Sequence, residues 1–500
     1  MIIDSVKAIA AIHPLALAIR FEDTAYTYEA LLREVAKTSQ ALRDVGVTTA
    51  STVAVFCENS SNIMLLYYAV AMIGGTFVPL NASLSSSEVG YILGHAEANL
   101  LFTDSKLANK AQEAIVGKSC ILYDVSRFFS ANVQAAEWSE EQATQVNKQF
   151  LIIYTSGSTG LPKAVLFDQE AEVAGNQSLI DMWAITSKDK MLVALPLGFL
   201  YGLSTASATA IQAGCELVIL RKFRPGDVLE AIVKHKITIF QGVPTMFAMM
   251  LEYAEENSLD YDLSSVRLLI SAGAPLAGEL RARFTLRFKA HIEDYYALTE
   301  VRPVFGKYAS DSSPIPAGAI GKACPGAEIL IVDTAGNQVS AGTTGEILVR
   351  APSTTTGYLK ASLTTQQAFS GKYFRTGDLG YQDSEGFYYI TGRIKDIIIR
   401  GGANIAPAEV EAALQAHPAV QLSAIIGVPD SKFGELPVAY YVLRTGQTVC
   451  DEELTEHCKA LLADFKVPAH FVRIAEMPLG NTGKVDKKAI LNIWKEQHNG

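Results

Sequence analysis

The hydrophobic pattern along most of the chain alternates short apolar runs with stretches of helical periodicity. Apolar runs at Val53–Phe56, Leu217–Leu220 and Val266–Ile270 predict strands. The spacing over Leu229–Lys236 and Pro244–Glu256 predicts helices between them. Strands that alternate with helices are typical of α/β layers built on largely parallel sheets. We therefore expect most of the chain to form layered α/β units.

The pattern changes in the C-terminal third of the chain. Short β-like runs at Glu328–Val332 and Glu346–Val349 are separated by glycine-containing turns, which predicts a small β-rich subdomain over residues 310–387. A new α+β unit begins after Gly392 and ends near residue 495. The polar stretch Ser130–Lys148 is interpreted as a surface helix or connector within the large part.

The run Asn62–Leu80 is uncharged and is the longest candidate for a membrane span. A spanning helix needs about 20 continuous apolar residues, whereas Gly74-Gly75 divides this run and Pro79 interrupts its end. We expect a buried helix, a tight turn and a short strand instead. The N-terminal apolar stretch is broken by His13 and Pro14, so no signal peptide and no integral membrane segment are predicted.

Length and charge limit the classes of function. With 500 residues the chain is long enough for several domains or subdomains. The net charge of −10 excludes a dedicated nucleic-acid binder, although a local basic site for a phosphate ligand remains open. The six cysteines show no CxxC spacing, which predicts free thiols in a reducing, cytoplasmic location. The eight histidines show no zinc-binding spacing.

A loop rich in glycine and hydroxyl residues follows the apolar run Phe150–Ile153 and ends at Lys163. Backbone N–H groups and hydroxyls of such a loop can surround phosphate oxygens, and the lysine adds a positive charge. The GxxxxGK[ST] spacing of a Walker A loop is absent. The loop residues predicted to contact phosphate are Thr155, Ser156, Gly157, Ser158, Thr159 and Gly160.

The segment Tyr154–Val165 resembles the signature loop of the adenylate-forming superfamily, which includes acyl-CoA synthetases, peptide-synthetase adenylation domains and luciferases. The resemblance continues, motif after motif in the family's order, along nearly the whole chain. The further motifs are Tyr26–Leu31, Gly74–Leu80, Ser271–Leu276, Tyr296–Glu300, Tyr373–Asp378, Gly392–Asp396, Gly401–Ile405 and Asn481–Lys484.

The resemblance implies a fold and a reaction. The fold would be a large N-terminal domain, residues 1–394, made of layered α/β subdomains plus a β-rich subdomain. A small mobile α+β C-terminal domain, residues 395–500, would follow, with the hinge at Lys395. The reaction would be an AMP-forming acid–CoA ligation: ATP and a carboxylic acid form an acyl-adenylate and pyrophosphate, and the acyl group then passes to the thiol of CoA.

The resemblance also assigns residues to the nucleotide. Attack of a carboxylate on the α-phosphate brings two anions together, so positive charge and N–H donors must offset their repulsion. The implied catalytic residues are Lys163, Thr299, Glu300 and Lys484, with Mg²⁺ held near Glu300 because this cation prefers carboxylate and phosphate oxygens. Beyond the loop residues above, the implied ATP and AMP contacts are Gly273, Ala274, Pro275, Tyr295, Tyr296, Thr299, Asp378, Ile390, Arg393 and Lys484.

The acceptor of the acyl group stays open between two thiols. Arg400, Gly401 and Gly402 are implied to line the thiol side, since a chain that passes close to backbone tolerates no Cβ there. CoA is the expected acceptor, and the phosphopantetheine of an acyl or peptidyl carrier protein is the alternative. A non-catalytic nucleotide-binding protein is a third possibility, which the presence of Lys484, Glu300, Asp378 and Arg393 argues against. The oligomeric state is expected to be monomer or homodimer.

The implied acid pocket is apolar apart from two phenols. It consists of Phe199, Leu200, Tyr201, Ala272, Tyr295, Ala297, Pro303 and Val304. The chain departs from the family at Phe199, where many members carry histidine, and at Tyr295 and Ala297, where glycine is frequent. Residues 198–201 include no aspartate to pair with a substrate ammonium, which argues against an α-amino acid. The lining predicts an uncharged aromatic or a short- to medium-chain aliphatic acid.

Overall fold

The computed structural model of the chain describes residues 1–130, 149–155, 162–444, 446–480 and 485–498. The predicted surface connector is Ser130–Lys148, and all of it except Ser130 lies outside the described residues. The α-helices are α1 Ile2–Ile12, α2 Tyr28–Asp44, α3 Ser61–Ile73, α4 Ser86–His95, α5 Ala108–Ala114, α6 Val125–Ser130, α7 Gln169–Trp183, α8 Thr209–Gln212, α9 Pro225–His235, α10 Pro244–Glu256, α11 Gly278–Phe288, α12 Ser362–Ala368, α13 Pro407–Gln415, α14 Asp451–Leu461 and α15 Lys487–His498. A π-helix, Tyr201–Ala208, runs directly into α8, and short 3₁₀ turns lie at Ile394–Asp396 and Asp464–Lys466.

The strands fall into four sheets and one isolated pair. In chain order they are β1 Leu17–Phe21, β2 Thr24–Thr27, β3 Thr52–Phe56, β4 Thr76–Leu80, β5 Leu100–Thr103, β6 Ile121–Asp124, β7 Leu151–Thr155, β8 Lys163–Phe167, β9 Lys190–Val193, β10 Glu216–Ile219, β11 Ile239–Gly242, β12 Leu268–Ala272, β13 Ile292–Tyr296, β14 Val301–Arg302, β15 Phe305–Gly306, β16 Lys322–Ala323, β17 Glu328–Val332, β18 Gly345–Arg350, β19 Ser353–Thr354, β20 Gly357–Tyr358, β21 Phe369–Ser370, β22 Tyr373–Gln382, β23 Tyr388–Arg393, β24 Ile398–Arg400, β25 Ala403–Ile405, β26 Val420–Asp430, β27 Gly434–Leu443 and β28 His470–Arg473.

Two large sheets with parallel cores form most of the molecule. One has the order β16-β15-β13-β12-β11-β9-β10-β1-β2, and the other has the order β20-β8-β7-β4-β3-β5-β6. Strands β11, β12 and β13 are parallel neighbours, so their carboxyl ends lie side by side. This arrangement confirms the predicted α/β layers.

The uncharged run Asn62–Leu80 folds as its glycines predict. Helix α3 is buried on all sides and ends at Ile73, after which Gly74 takes a left-handed φ of 84°. Strand β4 then begins at Thr76 and pairs in parallel with β3. Within the described ranges, no helix is both long enough and apolar enough to cross a bilayer.

The C-terminal third contains two smaller sheets. The third sheet has the order β17-β18-β22-β21 with β23 beside β22, and the fourth has the order β25-β24-β27-β26 with β28 beside β27. The fourth sheet, with α13, α14 and α15, forms a unit with its own apolar core. These findings confirm a large α/β domain with a β-rich part and a small C-terminal domain. The boundary between residues 394 and 395 stays a prediction.

Among the described residues, two polar pairs join the C-terminal unit to helices of the large domain. Arg444 Nη2 lies 2.5 Å from Glu279 Oε2, at the start of α11. Gln421 Nε2 donates to Glu252 Oε1 of α10 over 2.9 Å. Both contacts hold the small domain against the same pair of helices.

A buried ion pair ties α7 to the segment after β13. Arg302 and Glu172 are 1% and 0% exposed, and Arg302 Nη2 lies 2.6 Å from Glu172 Oε1. The guanidinium also donates to Asn176 Oδ1 over 3.1 Å and to Ser204 Oγ over 2.5 Å. Gly175 allows β19 to approach α7, because a Cβ there would lie 2.6 Å from the side chain of Ser353. The six cysteines are free thiols, as predicted.

Candidate active site

Asp378, one of the predicted ATP and AMP contacts, lies at a junction of three strands. Strand β22 places Asp378 directly opposite Arg393 of β23, and the Arg393 Nε lies 2.8 Å from the Asp378 Oδ1. Tyr296, at the end of β13 in a different sheet, donates its phenol hydrogen to Asp378 Oδ2 over 2.5 Å. Oδ1 is buried and, apart from its ion pair with Arg393, has no partner within the described residues. The carboxylate thus retains an acceptor that suits a ribose hydroxyl.

Tyr296 belongs to a stack of aromatic rings. Its ring lies 5.4 Å from that of Phe305 at an interplanar angle of 18°, and Phe305 stacks in turn on Tyr388 at 4.2 Å. Burial, together with the nearby Asp378 carboxylate, raises the pKa of Tyr296 well above its ordinary value. The phenol therefore stays protonated and acts as a donor, which fixes Tyr296 against Asp378.

We expect that Asp378→Asn raises the KM for ATP about 10-fold to 100-fold, because an amide replaces one of the two acceptor oxygens with a donor. The KM is measured from pyrophosphate release at varied ATP. Asp383→Asn is the matched control, since Asp383 lies in the turn between β22 and β23 and accepts from the backbone N–H of Phe387. Equal KM values for the two variants would contradict the assignment.

Lys163, at the end of the phosphate loop, is linked through Tyr358 to Glu300, the predicted Mg²⁺ ligand. Thr155 and Lys163 face each other as the last pair of the β7–β8 hairpin. The Lys163 Nζ lies 5.0 Å from the ring centroid of Tyr358, whose hydroxyl donates to Glu300 Oε1 over 2.9 Å. A cation, a phenol and a carboxylate thus form a continuous chain of contacts. Loop residues Ser156, Gly157, Ser158, Thr159 and Gly160 lie outside the described residues.

The other predicted nucleotide residues that the structure describes lie in three further segments. Gly273, Ala274 and Pro275 form an exposed turn between β12 and α11, and Gly273 has a φ of +87° that favours glycine. Thr299 lies in the bend that joins β13 to β14, beside Glu300. Ile390 is on β23 and packs with the apolar core of the third sheet. Lys484 lies outside the described residues.

The predicted acid-pocket residues come from four neighbouring segments. Phe199 and Leu200 precede the π-helix, whose first residue is Tyr201. Gly198 fixes this segment, because a Cβ there would lie 2.5 Å from the backbone N of Asn81. The pocket residues from the other segments are Ala272 at the end of β12, Tyr295 and Ala297 at the end of β13, and Pro303 and Val304 after β14.

The predicted thiol-side residues belong to the C-terminal unit. Gly401 and Gly402 form the turn between β24 and β25, with φ values of +58° and +85°. Arg400 Nη1 donates to the carbonyl of Phe465 over 2.8 Å. Lys395, the predicted hinge, is exposed in the 3₁₀ turn between β23 and β24. The roles of these residues stay predictions.

Sequence reasoning missed three residues that contact predicted site residues or the π-helix beside them. Tyr358 links Lys163 to Glu300, Trp183 packs edge-on against Tyr295 at 5.3 Å, and Gln241 reaches the π-helix. Each is far in sequence from the motif that it contacts, so the local pattern carried no signal for it. Gln241 alone was detectable, as a polar residue inside an otherwise apolar strand.

Tyr296 of the first sheet meets Asp378 and Arg393 of the antiparallel third sheet. Comparison with known proteins agrees with the adenylate-forming class that these residues indicate. The family model described as AMP-binding enzyme matches residues 6–359, and the model of the AMP-binding enzyme C-terminal domain matches residues 409–484. The chain belongs to the AMP-binding enzyme family, which confirms the resemblance found in the sequence.

Relatives and solved structures match over nearly the whole chain. Indoleacetate–CoA ligase of Aromatoleum aromaticum is 31% identical over 97% of this chain and 96% of that protein. The ATP-bound structure of MatB from Rhodopseudomonas palustris has a TM-score of 0.89 at 26% identity and covers 99% of both chains. The o-succinylbenzoate CoA synthetase MenE from Bacillus subtilis, in complex with an acyl-adenylate intermediate, has a TM-score of 0.87 at 29% identity and 97% coverage of both chains.

Proposed function

We propose that this chain is an AMP-forming carboxylic acid–CoA ligase for an aromatic or short- to medium-chain hydrophobic acid. The observation that carries the proposal is the meeting of Tyr296, Asp378 and Arg393, which belong to two sheets, beside the contacts that join Lys163 to Glu300. The similarity to named CoA ligases over 97% of the chain supports the same class of reaction.

In the first step a carboxylate oxygen of the acid attacks the α-phosphorus of ATP. The P–O bond to the β-phosphate breaks, pyrophosphate leaves, and the acyl-adenylate forms. In this proposal Lys163 and Arg393 supply positive charge, and the hydroxyl of Thr299 donates to the α-phosphate. Because the charge develops on phosphate oxygens, donors that are already positioned lower the barrier without reorganisation.

Glu300 fits the single-carboxylate type of Mg²⁺ site. Mg²⁺ usually binds one or two carboxylates together with substrate phosphates. Glu300 accepts from the hydroxyl of Tyr358, and Lys163 lies over the ring of the same tyrosine. Mg²⁺ would neutralise phosphate charge when bound. The hydroxyl of Tyr358 holds one oxygen of Glu300 by a hydrogen bond and so orients the carboxylate.

In the second step the thiol sulfur of CoA attacks the acyl carbonyl carbon and its proton passes to solvent. The C–O bond to AMP breaks, and AMP leaves. We assign the Gly401–Gly402 turn to the thiol approach, since its residues have no Cβ to obstruct a narrow chain. Arg400 beside this turn supplies positive charge for the phosphates of CoA.

The test is mass spectrometry of products formed from ATP, Mg²⁺, CoA and a panel of benzoates, cinnamates, arylacetates, C2–C16 fatty acids and amino acids. An acyl-CoA product with release of AMP is expected. Acyl-AMP without acyl-CoA would indicate a carrier protein as the acceptor. The absence of both products would refute the ligase, and ATP binding measured alongside would indicate a nucleotide-binding protein without catalysis.

We expect that Glu300→Gln raises the Mg²⁺ concentration for half-maximal adenylation at least about 10-fold, because the variant loses the charged ligand. The measurement is ATP–pyrophosphate exchange at varied Mg²⁺. Glu293→Gln is the control, since Glu293 lies on β13 and pairs with Lys307 over 2.9 Å. An unchanged Mg²⁺ dependence in Glu300→Gln would place the metal elsewhere.

A further inference from the structure

The buried charges of Arg302 and Glu172 lie between two segments that the proposed reaction uses. One segment is the π-helix Tyr201–Ala208, whose first residue belongs to the predicted acid pocket. The other is the segment around β14, which has the predicted Mg²⁺ ligand Glu300 just before it and the pocket residue Pro303 just after it. A group that joins these two segments therefore helps to set the position of the acid relative to Glu300.

Strand β14 has little support from its own sheet. Among the described strands it pairs only with β19, through two residues of each strand. An isolated two-stranded pair is marginally stable at best in water, so this segment needs contacts with another element. The guanidinium of Arg302 provides them, because it reaches Glu172 over 2.6 Å and Asn176 over 3.1 Å. These two partners are one turn apart and lie on one face of α7.

The same guanidinium also reaches the π-helix. Its Nη2 donates to Ser204 Oγ over 2.5 Å, and the hydroxyl of Ser204 donates in turn to Glu172 Oε2. Tyr67 of α3 donates to the same carboxylate oxygen over 3.2 Å. Ser204 lies three residues after the pocket residue Tyr201. One buried cluster thus joins α3, α7, the π-helix and β14.

Stability alone is a poor reason for charged groups at this place. Replacing a buried ion pair with apolar side chains of similar volume is often neutral or stabilising. A guanidinium differs from apolar side chains because its donors form a rigid planar fork, and the directions of the fork define where each partner lies. The element that the fork reaches is a π-helix, a rare structure that recurs at functional sites. The cluster is therefore suited to fixing the geometry of its neighbours.

We propose that Arg302 and Ser204 are positioning residues for adenylation, and that they hold the π-helix wall of the acid pocket in a fixed place relative to Glu300. The proposal rests on the ligase function proposed above. Neither residue is assigned a contact with substrate, and each acts through the segment that it anchors. The carboxylate of the acid must be aligned with the α-phosphate, and a small misplacement of one reactant lowers the rate strongly.

The nucleotide contacts of the third sheet lie outside the cluster. Asp378 and Arg393 belong to β22 and β23, whereas the cluster joins helices to β14. Loss of the cluster is therefore expected to weaken acid binding and adenylation more than ATP binding. A residue that only stabilises the fold would not separate the two substrates in this way.

The first test replaces Ser204 with alanine, which removes the link to the π-helix and leaves the ion pair in place. ATP–pyrophosphate exchange is measured with an acid that the product panel identifies. The KM for the acid is expected to rise at least about 10-fold, and the KM for ATP is expected to stay within about 3-fold. Ser207→Ala is the matched control. Ser207 is 0% exposed, as is Ser204, but its hydroxyl donates to the carbonyl of Gly202 within the same helix over 2.7 Å.

Thermal midpoints separate positioning from stability. Each serine variant is expected to lower the midpoint by no more than about 4 °C, because each loses one hydroxyl contact. Ser207→Ala is expected to keep both KM values within about 3-fold. The double variant Glu172→Gln/Arg302→Met removes both charges and is expected to fold. Its KM for the acid is nevertheless expected to rise at least about 10-fold, because the fork that fixes the π-helix is gone.

The outcomes separate this proposal from the proposed function. Equal KM values for the acid in Ser204→Ala and Ser207→Ala would overturn the positioning role, as would a double variant with the original KM for the acid. An equal rise of the KM for acid and for ATP in Ser204→Ala would indicate a general structural effect and would also overturn it. These results leave the ligase function intact. If no acid of the panel yields acyl-AMP or acyl-CoA with the original protein, the ligase function fails and the positioning role fails with it.

Discussion

Replacing Lys484 with alanine is expected to slow acyl-adenylate formation about 10²-fold to 10³-fold, the effect of losing one positioned donor at a transition state. The motif Asn481–Lys484 resembles the family's catalytic-lysine motif, in which the ammonium bridges the substrate carboxylate and the α-phosphate. The rate is measured by ATP–pyrophosphate exchange. The transfer of a preformed acyl-adenylate to CoA should be retained, because that step makes no use of the bridge.

The control for this prediction is a lysine three residues further along the chain. Lys487 Nζ lies 2.6 Å from Glu411 Oε1 within the C-terminal unit, so Lys487→Ala removes an equal charge that already has a structural partner. Lys487→Ala is expected to keep the exchange rate within about 3-fold of the original, since such ion pairs contribute little. Similar exchange rates in the original protein and in Lys484→Ala would refute the assigned mechanism.

Replacing Arg302 with methionine is expected to lower the free energy of unfolding of the large domain by about 3–5 kcal/mol. The variant leaves the carboxylate of Glu172 buried without its cation, and the Asn176 and Ser204 hydrogen bonds to the guanidinium are also lost. The shift is measured as the thermal midpoint and by urea denaturation of the full chain. The double variant Glu172→Gln/Arg302→Met should recover much of the loss, because it removes both charges.

An exposed ion pair provides the comparison. Lys360 and Glu97 are 46% and 77% exposed and lie 2.6 Å apart. Lys360→Met is therefore expected to cost less than about 1 kcal/mol. If Arg302→Met costs no more than Lys360→Met, the buried pair does not stabilise the junction between α7 and β14.

The architecture and the identity of most site motifs follow from local sequence. Helix α10 occupies Pro244–Glu256, as its periodicity predicts, and β17 occupies Glu328–Val332. Gly74 ends α3 because a residue without Cβ readily takes a positive φ. The turn could therefore be predicted from the local sequence, without knowledge of tertiary contacts. The phosphate loop was also recognisable from local sequence, because its glycine and hydroxyl residues are concentrated in one short segment.

The side chains that each site residue contacts in the folded protein could not be predicted from the sequence. Asp378 and Arg393 are 15 residues apart in sequence, and Tyr296 comes from another sheet, yet the three meet in one cluster. Tyr358 and Glu300 meet because β20 pairs with β8 beside the phosphate loop. Such contacts depend on strand order and register, which no local pattern of hydrophobic and polar residues specifies.

The sequence by itself determined the family, the α/β layers and the residues available for chemistry, because helix and strand periods and glycine-rich turns are local properties of the chain. Only the tertiary structure decided that Arg302, Glu172 and Ser204, which belong to three different elements, meet in one buried cluster. Hydrogen-bond satisfaction depends on what the other strands and helices place nearby, and that is a property of packing.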